Sequence, residues 1–268
     1  MNEAGADHWV ANRERYDRMY EPFQVALLSA AAIQDGEHVL DVGCGYGTTT
    51  LAAADLTGPG TATGIDISPT MLEVARSRAA DRTNVAFVED DAQVHVFEPS
   101  TYDVVVSRFG LMFFPDPVPA FTNLRRATRP GGRLAFVAWR TQSQQPWRCV
   151  PGRAAARIVA VPDLENGSGP GMFSLADENR VRDVLGAAGW TSVELEPVTT
   201  PLLVAGGGST DDAVAFLASG TLGRRVLDGT DEDTEARVLA EVRAALVPHT
   251  HPEGVRLAAG VWLVSARA

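Results

Sequence analysis

The chain has 268 residues, 45% of them hydrophobic and 21% charged, with a formal net charge of −11. That length is enough for a large buried core and fits one sizeable domain, residues 1–268. The acidic balance disfavours contact with a phosphate backbone, so no nucleic-acid partner is expected. Between Asp7 and Ser29, the residues Trp9, Tyr16, Met19, Tyr20 and Phe23 recur at helical steps, which predicts a helix broken near Pro22. Two roles suit this segment: an aromatic face packed on the domain, or an N-terminal lid over a site within residues 1–30. From His38 short apolar runs alternate with helical stretches. Strands are expected at Val39–Val42, Thr61–Asp66, Val85–Val88, Tyr102–Ser107 and Arg133–Trp139. Helices are expected at Thr48–Asp55, from the Ser68-Pro69 cap to about Ala80, and at Pro117–Thr128, with Pro130-Gly131-Gly132 as a turn. Such alternation predicts an α/β fold, a doubly wound and mainly parallel sheet covered on both faces.

After Trp139 the pattern degrades. A helix from Asp177 to about Ala188 is stopped by Gly189, Thr191–Glu196 alternates as a strand, and Asp211–Leu246 is largely helical. Arg256–Ala266 reads as a terminal strand around Val261-Trp262-Leu263-Val264. The segments 142–176 and 205–250 are expected to be helical insertions covering the substrate side of the sheet.

The chemistry concentrates at strand ends. Val39-Leu40-Asp41-Val42-Gly43-Cys44-Gly45-Tyr46-Gly47-Thr48 is a strand ending in an acid, then three alternate glycines, then a helix. Glycines there let the backbone turn sharply and approach a ligand, and the helix N-terminus adds free N–H groups and the positive end of its dipole. The second strand ends in Asp66, placed to accept both hydroxyls of a ribose. The third leads into Glu89-Asp90-Asp91-Ala92-Gln93, where a carboxylate suits an adenine amino group. Asp91 is the favoured acid, with Asp90 one register step away. All three acids lie at C-terminal strand ends, where open α/β sheets bind ligands.

Taken together, these residues resemble the class I S-adenosylmethionine-dependent methyltransferases, in the branch that includes the ubiquinone/menaquinone C-methyltransferases. Asp41, Gly43, Gly45 and Gly47 match the acid-x-Gly-x-Gly-x-Gly element. Asp66 with Ile67, Ser68 and Met71 matches the ribose element, and Asp91-Ala92 the adenine element. The segments Tyr102–Phe109 and Arg129–Leu134 also match, so the resemblance covers roughly residues 38–140 and continues more loosely beyond. It implies the strand order 3-2-1-4-5-7-6 in a seven-stranded sheet, with the last strand antiparallel. It implies S-adenosylmethionine as cofactor, with Gly43 and Gly45 bordering its amino-acid part. Asp41 would orient the loop or reach the ammonium. Ser107 and Phe109 would face the reacting methyl. The region after Trp139 departs from the quinone-type pattern, so a quinone acceptor is not carried over.

Cys44 reads as a small filler within the cofactor loop, not as a nucleophile, since no His or Asp stands in a partner pattern. The two cysteines, Cys44 and Cys149, make no disulfide framework, which fits a reducing compartment. The polar N-terminus does not read as a signal peptide and no apolar run reaches membrane-spanning length, so a cytoplasmic protein without a membrane partner is expected. His249 and His251 lack the companions of a metal site, and no metal is expected. The expected acceptor is a small, partly apolar or aromatic molecule, a specialised metabolite being one candidate, beside Phe109, Trp9 and Trp139. His8 and Tyr20 are the candidate catalytic side chains if the N-terminal segment closes over it. Two alternatives stand: a protein of this fold that uses the cofactor for a non-methylating reaction, and a nicotinamide-dependent oxidoreductase. The latter's loop has Gly-x-Gly-x-x-Gly spacing, unlike the alternate glycines here. Oligomeric state leaves no trace in the sequence.

Overall fold

The computed structural model describes residues 3–161 and 169–268. Buried on both faces, a parallel sheet needs continuous apolar strands. β1 (His38–Val42), β2 (Thr61–Asp66) and β4 (Tyr102–Arg108) supply them, with Val104, Val105 and Val106 fully buried. With β3 (Val85–Glu89), β5 (Thr128–Trp139), β6 (Thr191–Leu203) and β8 (Gly254–Arg267) they form one sheet in the order β3-β2-β1-β4-β5-β8-β6. This is the expected 3-2-1-4-5-7-6 order. The two-residue β7 (Thr250–His251), which pairs only with β8, takes one number without entering the main path. β8 runs antiparallel to both of its neighbours.

In register, Asp41 of β1 pairs with Gly64 of β2 and Val106 of β4, which brings the three strand tips to one edge. Helices α3 (Thr48–Leu56), α4 (Pro69–Arg78) and α5 (Pro117–Ala127) connect the parallel strands. Ser68 caps α4 by accepting from the Met71 N–H, with Pro69 in the first turn, where a missing N–H costs nothing.

Several expectations needed correction. The N-terminal helix does not break near Pro22: α2 (Arg13–Ala31) runs through it. One lost backbone hydrogen bond is outweighed by the burial of Tyr16, Met19, Tyr20, Phe23, Leu27 and Ala31 along one face. Because Met19, Phe23 and Leu27 are wholly buried, α2 is a core helix, and only α1 (Glu3–Ala11), lying against α2 and α4, is left of the expected 1–30 lid. Pro130-Gly131-Gly132 does not separate α5 from a strand. It is an irregularity inside β5, where pairing with β4 jumps from Tyr102–Thr128 to Val104–Arg133 and Gly131 adopts a φ of 78°. β6 extends to Leu203 through Pro197 and Pro201, which a strand tolerates at the sheet edge because one side of it needs no donors.

The C-terminal helices α6 (Pro146–Ala155) and α8 (Thr210–Ser219) pack against β8, and Trp147 reaches Trp139 at the end of β5. α6 also packs on α10 (Glu232–Leu246), and α8 packs on α9 (Thr221–Leu227) and α10. α7 (Glu178–Ala187) covers α5 and β6 instead, capped by Asp177 as expected. Residues 162–168 of the expected 142–176 insertion lie outside the described residues.

Candidate active site

The glycine loop turns through positive φ at Gly43, Gly45 and Gly47 (69°, 54° and 83°), a region that side chains with a Cβ rarely adopt. Space is limiting too. A Cβ on Gly43 would stand 2.7 Å from the Gly110 Cα, backbone against backbone, and one on Gly47 would stand 2.9 Å from the Phe87 ring. Cys44 is buried, with Sγ in the space left by the missing Cβ of Gly64, and burial pushes its thiol pKa well up. Its side chain fills the space beside Gly64.

Asp66 shapes the loop. Its Oδ2 accepts from the Gly45 N–H (2.8 Å) and its Oδ1 from the Ser68 N–H (2.9 Å), so one carboxylate ties the tip of β2 to the loop and to the α4 cap. Burial raises its pKa, and these backbone bonds oppose the rise. Each carboxylate oxygen keeps lone-pair capacity for a ligand hydroxyl. Next to it, Met71 is buried, its sulfur 3.4 Å from where a Cβ on Gly45 would stand, while Ile67 is exposed.

Asp41 is nearly inaccessible. Its Oδ2 accepts from the Thr50 hydroxyl (2.7 Å), whereas Oδ1 is buried with no partner. Burial lifts its pKa to about 7, against the Thr50 bond and the Arg108 charge. Arg108, at the end of β4, has the converse defect: its Nη1 is buried and unpartnered, while Nη2 lies 3.5 Å from Asp17. An orphaned carboxylate oxygen and an orphaned guanidinium nitrogen thus occur beside one loop. They complement the ammonium and carboxylate of an α-amino acid group, and buried polar atoms without partners are costly enough to call for such an account.

At the tip of β3, Asp90 is held by His95 Nδ1 (2.7 Å), and Asp91 Oδ1 accepts from the Gln93 N–H (2.9 Å) with Ala92 buried behind it. Asp90 is exposed and engaged with His95. Asp91, in the partly buried position, retains its second oxygen for a ligand. Ser107 is fully buried, donates to the Val42 carbonyl (2.7 Å) and accepts from the Gly110 N–H (3.1 Å). It latches the tips of β1 and β4 together, so any part it has in cofactor binding runs through that latch.

Beyond β4 the lining becomes aromatic. Phe109, at a φ of 67°, stacks on Trp139 with ring centroids 4.3 Å apart, and Tyr20 and Phe23 meet both rings edge-on. Trp147 of α6 extends the cluster from Trp139 at 5.6 Å. Trp9 stacks on Tyr16 at 3.8 Å, and the Tyr16 hydroxyl lies 3.0 Å from His8 Nε2. Burial, then the charge of Arg224, lowers the His8 pKa and keeps its imidazole neutral at pH 7. Burial raises that of Tyr20 far above the ordinary phenol value, which removes Tyr20 as a base.

Sequence reasoning missed the clamp behind the loop. The Thr48 hydroxyl donates to Asp17 (2.8 Å), Arg78 donates to Thr48 Oγ1 (2.8 Å) and to the Tyr46 carbonyl (2.9 Å), and Thr49 donates to Gln24 (2.8 Å). The run Thr48-Thr49-Thr50 at the start of a helix was the available signal; nothing local marked Asp17 or Arg108. Among the described residues, no group of three or more His, Cys, Asp or Glu is placed to hold a metal ion, and no helix is long and apolar enough to cross a membrane.

Residues 39–132 match the methyltransferase domain family. The chain is 34% identical over 133 residues to a demethylmenaquinone methyltransferase of Staphylococcus aureus, a match covering 46% of this chain and 55% of that protein. The chain therefore spans about half the length of the curated relatives it matches. Among solved structures, the YcgJ protein of Bacillus subtilis superposes with a TM-score of 0.60 at 16% identity, covering 92% of this chain and 98% of that one. A protein from Bacillus halodurans described as a possible methyltransferase gives 0.58 at 17% identity, covering 91% and 97%. At those identities the superpositions establish the fold. The chain resembles the class I S-adenosylmethionine-dependent methyltransferases in its motifs and in its sheet order.

Proposed function

We propose that the protein transfers a methyl group from S-adenosylmethionine to a small-molecule acceptor. The observation that carries this reading is the joining of two strand tips, with the Gly45 N–H of the glycine loop bonded to the Asp66 carboxylate. In this reading Asp66 receives the ribose hydroxyls and Asp91, backed by Ala92, receives the adenine amino group. Ile67 and Met71 flank the nucleoside. Gly43, Cys44 and Gly45 border the amino-acid part, with the unpartnered atoms of Asp41 and Arg108 facing its charged ends.

The bound cofactor supplies a methyl group on a sulfonium whose leaving group is a neutral thioether. What remains for the chain is alignment and exclusion of water. Ser107 fixes the β1 and β4 tips against each other, and the partly buried Phe109 and Trp9 are the rings placed to meet the acceptor, with Trp139 packed behind Phe109. Within the 142–176 segment, α6 brings Trp147 against Trp139 on that side, and α1 lies against α4 on the nucleoside side. If the acceptor must lose a proton, His8 is the candidate base: neutral, partly buried and hydrogen-bonded to Tyr16.

Calorimetric titration with S-adenosylmethionine and with NADH tests the reading. The expected result is binding of the sulfonium cofactor alone, weakened by about a hundredfold or more in Asp66→Ala, because two charge-assisted loop contacts and the ribose acceptor go together. NADH binding without sulfonium binding would return the glycine loop to the oxidoreductase reading. Release of S-adenosylhomocysteine during turnover separates methyl transfer from a non-methylating use of the cofactor.

A further inference from the structure

Three consecutive acids, Glu89, Asp90 and Asp91, stand where β3 ends and its turn begins. A hydrogen-bonded line joins them to the glycine loop. The Gly45 N–H donates to the Asp66 carboxylate (2.8 Å), the Asp90 N–H donates to the Asp66 carbonyl (3.1 Å), and the Asp91 N–H donates to Asp90 Oδ1 (2.8 Å). Neighbouring carboxylates repel one another, and Asp90 and Asp91 have the same acceptor chemistry. Composition alone therefore separates them by no more than one register step.

His95 makes them different. Its Nδ1 lies 2.7 Å from Asp90 Oδ2, so both oxygens of Asp90 are engaged within the turn, and these bonds hold its carboxyl below the ordinary range. Asp91 commits one oxygen, which accepts from the Gln93 N–H (2.9 Å). His95 is itself fixed from three sides. Its N–H donates to the Asp91 carbonyl (2.8 Å), its carbonyl accepts from the Asn123 side chain of α5 (2.9 Å), and its ring meets the buried Phe97 ring edge-on at 4.6 Å. Asn123 also donates to the Ala92 carbonyl (3.0 Å), so α5 anchors the turn on both sides of Gln93 and Val94. A pair as open to water as Asp90 and His95 adds little to global stability. What it fixes is local: the direction of the Asp90 side chain and, through the bond to the Asp91 N–H, the start of the turn that carries Asp91.

We infer that His95 is a positioning residue for cofactor recognition: by occupying Asp90 it leaves Asp91 as the free carboxylate for the adenine amino group, and so sets a preference for a 6-amino over a 6-oxo purine. As a statement about the cofactor site, this rests on the methyl-transfer reading above. A carboxylate accepts from an amino group and repels a carbonyl oxygen put in its place, so the preference reports where Asp91 is held.

Matched ligands test it: S-adenosylhomocysteine and S-inosylhomocysteine, which carry a 6-amino and a 6-oxo purine, titrated calorimetrically against wild type, His95→Phe, His95→Asn and Asp91→Ala. Phenylalanine keeps a ring against Phe97 and loses the donor, whereas asparagine offers an amide N–H in place of Nδ1. Wild type is expected to bind the 6-amino ligand about tenfold or more tightly, the worth of one charge-assisted contact. His95→Phe should lose most of that preference, as Asp91→Ala does, with its urea midpoint unmoved, and His95→Asn should keep it. Weaker binding of both ligands by one common factor in His95→Phe, with the preference intact, would make His95 merely structural and overturn the inference. So would equal behaviour of the Phe and Asn variants, or a wild type that binds the two ligands alike. In those cases S-adenosylhomocysteine still binds and the methyl-transfer reading stands. If neither ligand binds wild type, that reading falls and the inference falls with it.

Discussion

At the tips of β1, β2 and β3 carboxylates bond backbone N–H groups, whereas beyond β4 and β5 rings pack on one another. On the polar side the side chains shape the main chain: Asp66 binds Gly45 and Ser68, Asp91 binds Gln93, and Ser107 binds Val42 and Gly110. On the aromatic side Phe109, Trp139, Tyr20 and Phe23 bind one another, with little reference to the backbone. Polar contacts of the first kind fix geometry to a fraction of an ångström, as a common cofactor requires. Ring packing contributes most of its free energy through buried area, and the shape of its surface is free to follow a particular acceptor.

The sharpest way to break this division is Trp139→Ala. The ring is 3% exposed and stacked on Phe109, so its loss should cost about 3–5 kcal/mol in urea unfolding. Cofactor affinity, measured calorimetrically on the folded variant, should stay near that of wild type, because the loop contacts share no partner with Trp139. A parallel collapse of cofactor binding would show that the two sides are one unit.

A smaller effect belongs to the polar side and depends on pH. With its pKa near 7, Asp41 holds a proton in the folded chain at pH values where the unfolded chain has already lost it. The folded state then binds more protons between about pH 4 and 7, so this group's contribution to stability falls as pH rises through that window. A cation beside Asp41 favours the carboxylate. S-adenosylmethionine affinity should therefore fall toward tenfold per pH unit below 7, and calorimetry in buffers of different ionisation enthalpy should register proton release. Asp41→Asn should flatten both dependences; an unchanged affinity profile would place the cofactor's ammonium elsewhere.

The smallest effect sharpens the boundary between the sides. Tyr16→Phe keeps the stack on Trp9 and removes only the bond to His8, so unfolding should shift by about 1 kcal/mol. A shift several times larger would make this hydroxyl part of the core's polar framework.

The polar side was legible because its signals are local: an acid at a strand end, glycines at alternate positions, Ser68-Pro69 at a helix start. Each constrains backbone dihedrals within a few residues. The aromatic side was legible only as a list of rings. Phe109 and Trp139 could be named, but their stacking and the arrival of Trp147 depend on which face of β5 meets α6. Pro22 misled for the same reason, since a local rule for ending helices was outweighed by a buried face contributed by distant strands.

By itself the sequence determined the alternation of strands and helices, the glycine loop and the acids Asp41, Asp66 and Asp91 at three strand ends. Only the tertiary structure decided that α2 is core, that Asp17 clamps Thr48 across 31 residues, and that Arg108 leaves one nitrogen unpaired near Asp41. Only it set the Arg148 guanidinium over the Trp147 ring. Helical and strand periodicity carries information over neighbours two to four positions apart, whereas a charge or a ring acquires its partner from whatever the packed sheet edge brings within a few ångströms.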